Sequence, residues 1–96
     1  MADINITQPT GTIVCGPATE VRVNALDTAV CEVWAKIFNS GAADDYPNGY
    51  VLLTQFGSEY RGMVSIPTGG GTSKVARAHC KKKVDGITDS QAFTCS

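Results

Sequence analysis

Four cysteines carry the clearest chemical potential in this sequence: Cys15, Cys31, Cys80 and Cys95 are even in number and spread over the whole chain. No two stand at the Cys-x-x-Cys spacing that presents two thiolates to one zinc ion. The sole histidine, His79, adjoins Cys80, and neighbours on a strand point to opposite faces, so the two suit a shared metal poorly. Disulfides are the better reading, with buried free thiols as the alternative. Four cysteines permit three pairings. Strand placement favours Cys15 with Cys95, tying the first edge strand to the last strand, and Cys31 with Cys80, crossing between two expected sheet neighbours. Each such bridge closes a long loop and adds on the order of 4 kcal/mol in the chain-entropy account. A bridge also implies an oxidising location.

Catalytic chemistry finds little to work with. His79 sits on a basic strand with no carboxylate partner in view, and a hydrolase triad needs a nucleophile, a base and an acid converging. The expectation is a solvated surface histidine. Asp44-Asp45-Tyr46 and Asp85 with Asp89 are the acidic loop features, and their spacing lacks the oxygen ligands of a calcium loop, so they read as polar turn residues. Gly69-Gly70-Gly71 lacks the Gly-Lys-Ser/Thr ending of a phosphate cradle and reads as a flexible loop between strands. Asn5-Ile6-Thr7 has the glycosylation triplet form but falls in an expected strand. No catalytic, cofactor-binding or metal-ligating residue is therefore expected, and no cofactor. Binding has better candidates: Tyr46, Tyr50, Phe56 and Tyr60 gather around the middle loops, where a saccharide or a protein could stack. At least two of these rings are expected in the core.

Composition bounds the partners. The 96 residues suit one domain, residues 1–96, and the 43% apolar share is that of a globular chain. A net charge of −1 gives no general field for nucleic acid or an anionic membrane. The basic run Lys81-Lys82-Lys83, near Lys74, Arg77 and His79, splits its side chains between two faces of a strand and reads as a solvated strand end. No apolar stretch approaches the roughly 20 residues of a membrane helix, so no membrane insertion is expected. The opening Met1-Ala2-Asp3-Ile4-Asn5 has neither the basic head nor the apolar run of a secretory leader. Either the protein acts without a cleaved leader, or a secreted protein has been cut and given a starting Met.

The elements that must position these residues are short. Turn residues recur along the chain, at Pro9-Thr10-Gly11, Gly16-Pro17, Asn39-Ser40-Gly41, Pro47-Asn48-Gly49, Gly57-Ser58, the Gly69 triplet and Asp85-Gly86. The pieces between them have strand length and alternate. Ile4 and Ile6 share one face, as do Val21, Val23 and Ala25, then Tyr60, Gly62, Val64 and Ile66, then Ala76, Ala78 and Cys80. Period two with a wet opposite face means an antiparallel sheet covered on one side. Residues 29–38 also fit a helix, but β-branched and aromatic content and the following Asn-Ser-Gly favour a strand through Cys31, Val33, Ala35 and Ile37. About seven strands and no clear helix predict an all-β antiparallel sandwich, with a small barrel as the alternative.

The order of these pieces resembles bacterial immunoglobulin-like domains, found along bacterial surface proteins and on tailed-phage virions. The likeness lies in residues 4–14 (strand, Pro, Gly turn, short strand), the alternating Thr19–Ala25 segment, the aromatic-bearing Glu32-Val33-Trp34-Ala35-Lys36-Ile37, and residues 60–67 followed by 73–78. Cys80-Lys81-Lys82-Lys83-Val84-Asp85-Gly86 stands where the family often carries an acidic residue and a Gly-Asn turn. The resemblance implies an immunoglobulin-like sandwich with no active site. It implies a structural or binding role, first as a decoration or surface protein of a tailed-phage virion. The alternative is an adhesion, spacer or carbohydrate-binding module of a secreted or cell-surface bacterial protein. The implied partners are capsid or surface-assembly proteins, or surface carbohydrate.

Overall fold

A computed structural model describes residues 4–25, 32–46, 48–81 and 87–96. The described residues form nine strands and no helix: β1 (Ile4–Gln8), β2 (Thr12–Ile13), β3 (Ala18–Ala25), β4 (Glu32–Asn39), β5 (Val51–Leu52), β6 (Thr54–Phe56), β7 (Glu59–Ser65), β8 (Ser73–Lys81) and β9 (Ile87–Cys95). They build two sheets, ordered β1-β3-β7-β6 and β2-β9-β8-β4-β5, which close face to face as a sandwich.

The alternation read from the sequence sets which side chains meet between the sheets. Ile4 and Ile6 of β1, Val21 and Val23 of β3, and Tyr60 and Val64 of β7 face Val33, Ala35 and Ile37 of β4, Ala76, Ala78 and Cys80 of β8, and Phe93 of β9. Each large aliphatic side chain buried there contributes about 1.5–3 kcal/mol against exposure. Residues 32–39 take the strand alternative, with Val33, Ala35 and Ile37 inward as the period-two pattern requires.

Two expectations need correction. The count is nine strands among the described residues, not about seven, and the sandwich is not wholly antiparallel, because β2 runs parallel to β9. Both differences arise where the chain changes sheets. The first edge segment leaves one sheet after Gln8, turns through Pro9 and Gly11 (φ 64°), and joins the other sheet as β2. The second change falls between β5 and β6, at Leu53. Leu53 is buried, and its amide donates to Val33 O at 2.9 Å. The crossing needs a small neighbour, since a Cβ on Gly62 would lie 2.8 Å from Leu53 Cδ2.

Lys74 is also not part of a solvated basic strand end. It shares the inward row of β8 with Ala76, Ala78 and Cys80, and is 3% exposed. Lys82 and Lys83 lie outside the described residues, as does the side chain of Lys81.

Candidate functional site

Of the cysteines, Cys15 and Cys95 form a disulfide, with Cα atoms 4.8 Å apart. The bridge reinforces the short β2–β9 pairing, where Cys15 N also donates to Ser96 O at 2.9 Å. Cys80 is buried opposite Val33, and Cys31, its expected partner, lies outside the described residues.

The four candidate aromatics do not form one patch. Tyr60 is buried between the sheets, and Phe56 is 54% exposed on edge strand β6, with the Arg61 guanidinium 5.1 Å from its ring centroid. Tyr46 and Tyr50 do meet, at 4.8 Å between centroids and nearly perpendicular, on the outer side of the second sheet.

They are held there by residues 40–46 and 48–50 of the β4–β5 connection, which lie over the outer face of β4 and β8. Lys36 anchors it, its ammonium donating to Asp45 Oδ1 at 2.9 Å and to Asn48 O at 2.9 Å. Asp44 anchors it a second time. Its Oδ1 accepts from Tyr46 N at 3.0 Å, an Asx turn, and from the Tyr50 hydroxyl at 2.6 Å. Its Oδ2 lies 2.6 Å from His79 Nε2. The Tyr46 ring stacks on the imidazole, centroids 3.9 Å apart and planes 11° from parallel, while Tyr50 meets that ring edge-on at 5.1 Å. Phe38, on the outer row of β4, is buried beneath, 6.0 Å from Tyr50 and with Arg77 Cζ 4.5 Å from its centroid.

His79 is therefore not a solvated lone histidine: its side chain is 16% exposed and bonded to a carboxylate 35 residues away. Asp89 departs from its reading too. It is a strand residue of β9, and its Oδ2 accepts the amide of Ile6 at 2.8 Å, satisfying an open group of β1.

The electrostatics follow from these bonds. Burial works against the Asp44 charge, but the donors Tyr50, His79 and Tyr46 N outweigh it and hold the carboxyl below its ordinary value. Burial, joined by the hydrogen bond to Asp44, pushes the Tyr50 phenol well above the usual tyrosine range. Beside this cluster a hollow of about 280 Å³ opens, lined by Asp44, Arg77, His79, Asp89 and Ser90. Arg77 and Ser90 are register partners on β8 and β9, and His79 follows on the same face of β8. Among the described residues no group of three or more His, Cys, Asp or Glu side chains is placed to hold a metal ion. The Asp44–His79 pair and Arg77 were hidden in the sequence because they join only when the 40–50 connection lies down on β8.

No protein-family model matches the sequence, and no curated protein matches it. Solved structures that share the fold include the following two. An engineered protein aligns over 100% of this chain at 18% identity and a TM-score of 0.71, and the endo-β-1,4-mannanase from Thermotoga petrophila aligns over 100% at 12% identity and 0.70. The chain spans 20% of the length of each. At these identities the likeness is one of fold alone.

Proposed function

We propose that this chain is a non-enzymatic, immunoglobulin-like structural or binding module that works on an extracellular surface. The strand order supports the immunoglobulin-like reading. With β1 and β2 taken as one split first strand, one sheet carries the first, second, fifth and fourth strands of that fold, and the other carries its third, sixth and seventh with an added edge strand. The Asp44 carboxylate favours binding over turnover, because its oxygens already serve three groups that hold the 40–50 connection in place.

The observation that carries the placement is the Cys15–Cys95 bridge, which suits an oxidising compartment. It favours a module of a secreted or cell-surface bacterial protein, serving as a spacer, an adhesin or a carbohydrate-binding unit. The fold's occurrence as one fifth of a mannanase chain is in keeping with that role. The tailed-phage virion surface is the second reading. Favouring it, Val51, Leu52 and Phe56 are 37%, 48% and 54% exposed along the β5–β6 margin, where a protein lattice could cover them.

Fractionation of producing cells, with thiol alkylation before and after reduction and intact-mass readout, tests the placement. The expected result is protein in the envelope or medium, with Cys15 and Cys95 alkylated only after reduction. Recovery on purified phage particles supports the second reading. Cytosolic protein with a freely alkylated Cys15 that is also absent from purified phage particles overturns both.

A further inference from the structure

We propose that the hollow between the 40–50 connection and strands β8 and β9 is a binding subsite for one neutral saccharide residue. This deepens the carbohydrate-binding form of the function proposed above and rests on it. The described lining residues, Asp44, Arg77, His79, Asp89 and Ser90, all carry polar side chains. Two other hollows among the described residues differ. One is lined largely by Ile66, Pro67, glycines and the bridged Cys15, the other by Ile37, Val51, Val64 and Pro67 among others.

The chemistry of the lining selects the ligand class. Arg77 offers only donors, Asp89 keeps an acceptor in the carboxylate oxygen that Ile6 N does not take, and the Ser90 hydroxyl serves as either, while the Asp44 oxygens, engaged by Tyr46 N, Tyr50 and His79, form a fixed wall. Donors and acceptors set side by side match groups that both give and take a hydrogen bond, which neighbouring sugar hydroxyls do. An anion fits worse. One arginine faces two carboxylates, and the nearby cation, Lys36, is occupied by Asp45 and Asn48 O.

Size and stiffness agree. At about 280 Å³ the hollow lies just below the range of drug-sized pockets, roughly 300–1,000 Å³, which suits a single ring. Its walls are set before any ligand arrives. Arg77 is held over the Phe38 ring, and His79 is clamped between the Tyr46 ring and Asp44. Pre-set walls lower the ordering cost of binding.

The test is titration of the isotope-labelled chain with D-mannose, D-glucose, D-galactose and N-acetyl-D-glucosamine, with D-glucuronate as the acidic comparison, followed by amide NMR shifts. The expected result is saturable shifts at Arg77, His79 and Ser90 with at least one neutral sugar. Ser90→Ala should weaken binding about tenfold, the scale of one lost hydrogen bond. Arg77→Gln should weaken it further, and Phe56→Ala should leave it unchanged. Ser90 is exposed, so S90A keeps the test valid if R77Q fails to fold. Shifts confined to the Phe56 and Leu52 margin would overturn this subsite while leaving a carbohydrate-binding role. Response to glucuronate alone would overturn the neutral class. No response to any sugar would overturn the subsite, while the surface placement is decided separately by fractionation.

Discussion

Lys74 of β8 and Asn39 of β4 face each other across the second sheet, and the buried Lys74 ammonium donates to Asn39 Oδ1 at 2.6 Å. Its other acceptors, Pro67 O and Gly69 O, each lie at 3.0 Å in the β7–β8 connection. Three donors thus meet three oxygens, and the inward lysine ties the glycine-rich loop to the core. Hydrogen bonds to a charged group are worth about 1.5–3 kcal/mol each. Asn39→Ala is expected to destabilise the fold by about that amount in urea denaturation. Lys74→Met, which keeps the buried stem, should cost at least as much. A neutral result for both would show that the contact is not structural.

The two sheets are also joined at their margin by the bond from Ile6 N to Asp89 Oδ2. Asp89→Ala would orphan a backbone donor, at a cost of about 1–3 kcal/mol. Asp89→Asn retains an acceptor and should recover most of that loss. Hydrogen exchange at the Ile6 amide provides the local readout: fast in the alanine variant, slow in the asparagine one.

The Asp44–Tyr50 pair should make stability depend on pH at both ends of the scale. The Asp44 carboxyl is held low, so its contribution is present above its unfolded value of about 4 and is lost as pH falls further. The Tyr50 phenol is held high, so its contribution is complete below about pH 10 and is lost as pH rises beyond it. Tyr50→Phe is expected to cost about 1–3 kcal/mol near neutrality, to shrink the acid dependence and to abolish Tyr50's share of the alkaline one. Chemical denaturation of the parent and Y50F across pH checks all three effects.

The Cys15–Cys95 bridge spans a sequence separation of 80. Cys15→Ser should cost about 2–4 kcal/mol. The β2–β9 pair should feel it first, since only Thr12–Thr94 and Ile13–Cys95 form that ladder. Amide exchange at Cys15 and Ser96 should rise before any global loss of structure.

Much of the fold was legible because a half-wet sheet writes its period into the sequence. Val21 and Val23, Tyr60 and Val64, and Ala76 and Ala78 are inward as their spacing implied. The pairing of Cys15 with Cys95 followed from their positions in the first edge segment and the last strand. The misses share a physical cause, which is contact between residues distant in sequence. Lys74 occupies an inward position by parity, but only the carbonyls of the β7–β8 connection make a buried ammonium tolerable there. Phe38 breaks the alternation of β4, and what buries it is the 40–50 connection laid over the outer face. The same placement brings Asp44 to His79, and no local pattern signals it. The strand count failed because each sheet change splits one extended segment into two short ones.

The bridge between β2 and β9 also decides how the domain would carry tension if chain continued from both ends. A pull on residue 96 enters Cys95 and passes through the sulfurs to Cys15, leaving the covalent ring between them unloaded. Only the segment ahead of Cys15 can be drawn out, about 50 Å of extended chain, against about 330 Å for the reduced polypeptide. Single-molecule stretching with and without reductant should show those two lengths. Oxidised, the domain behaves as a short tether; reduced, it becomes a long one.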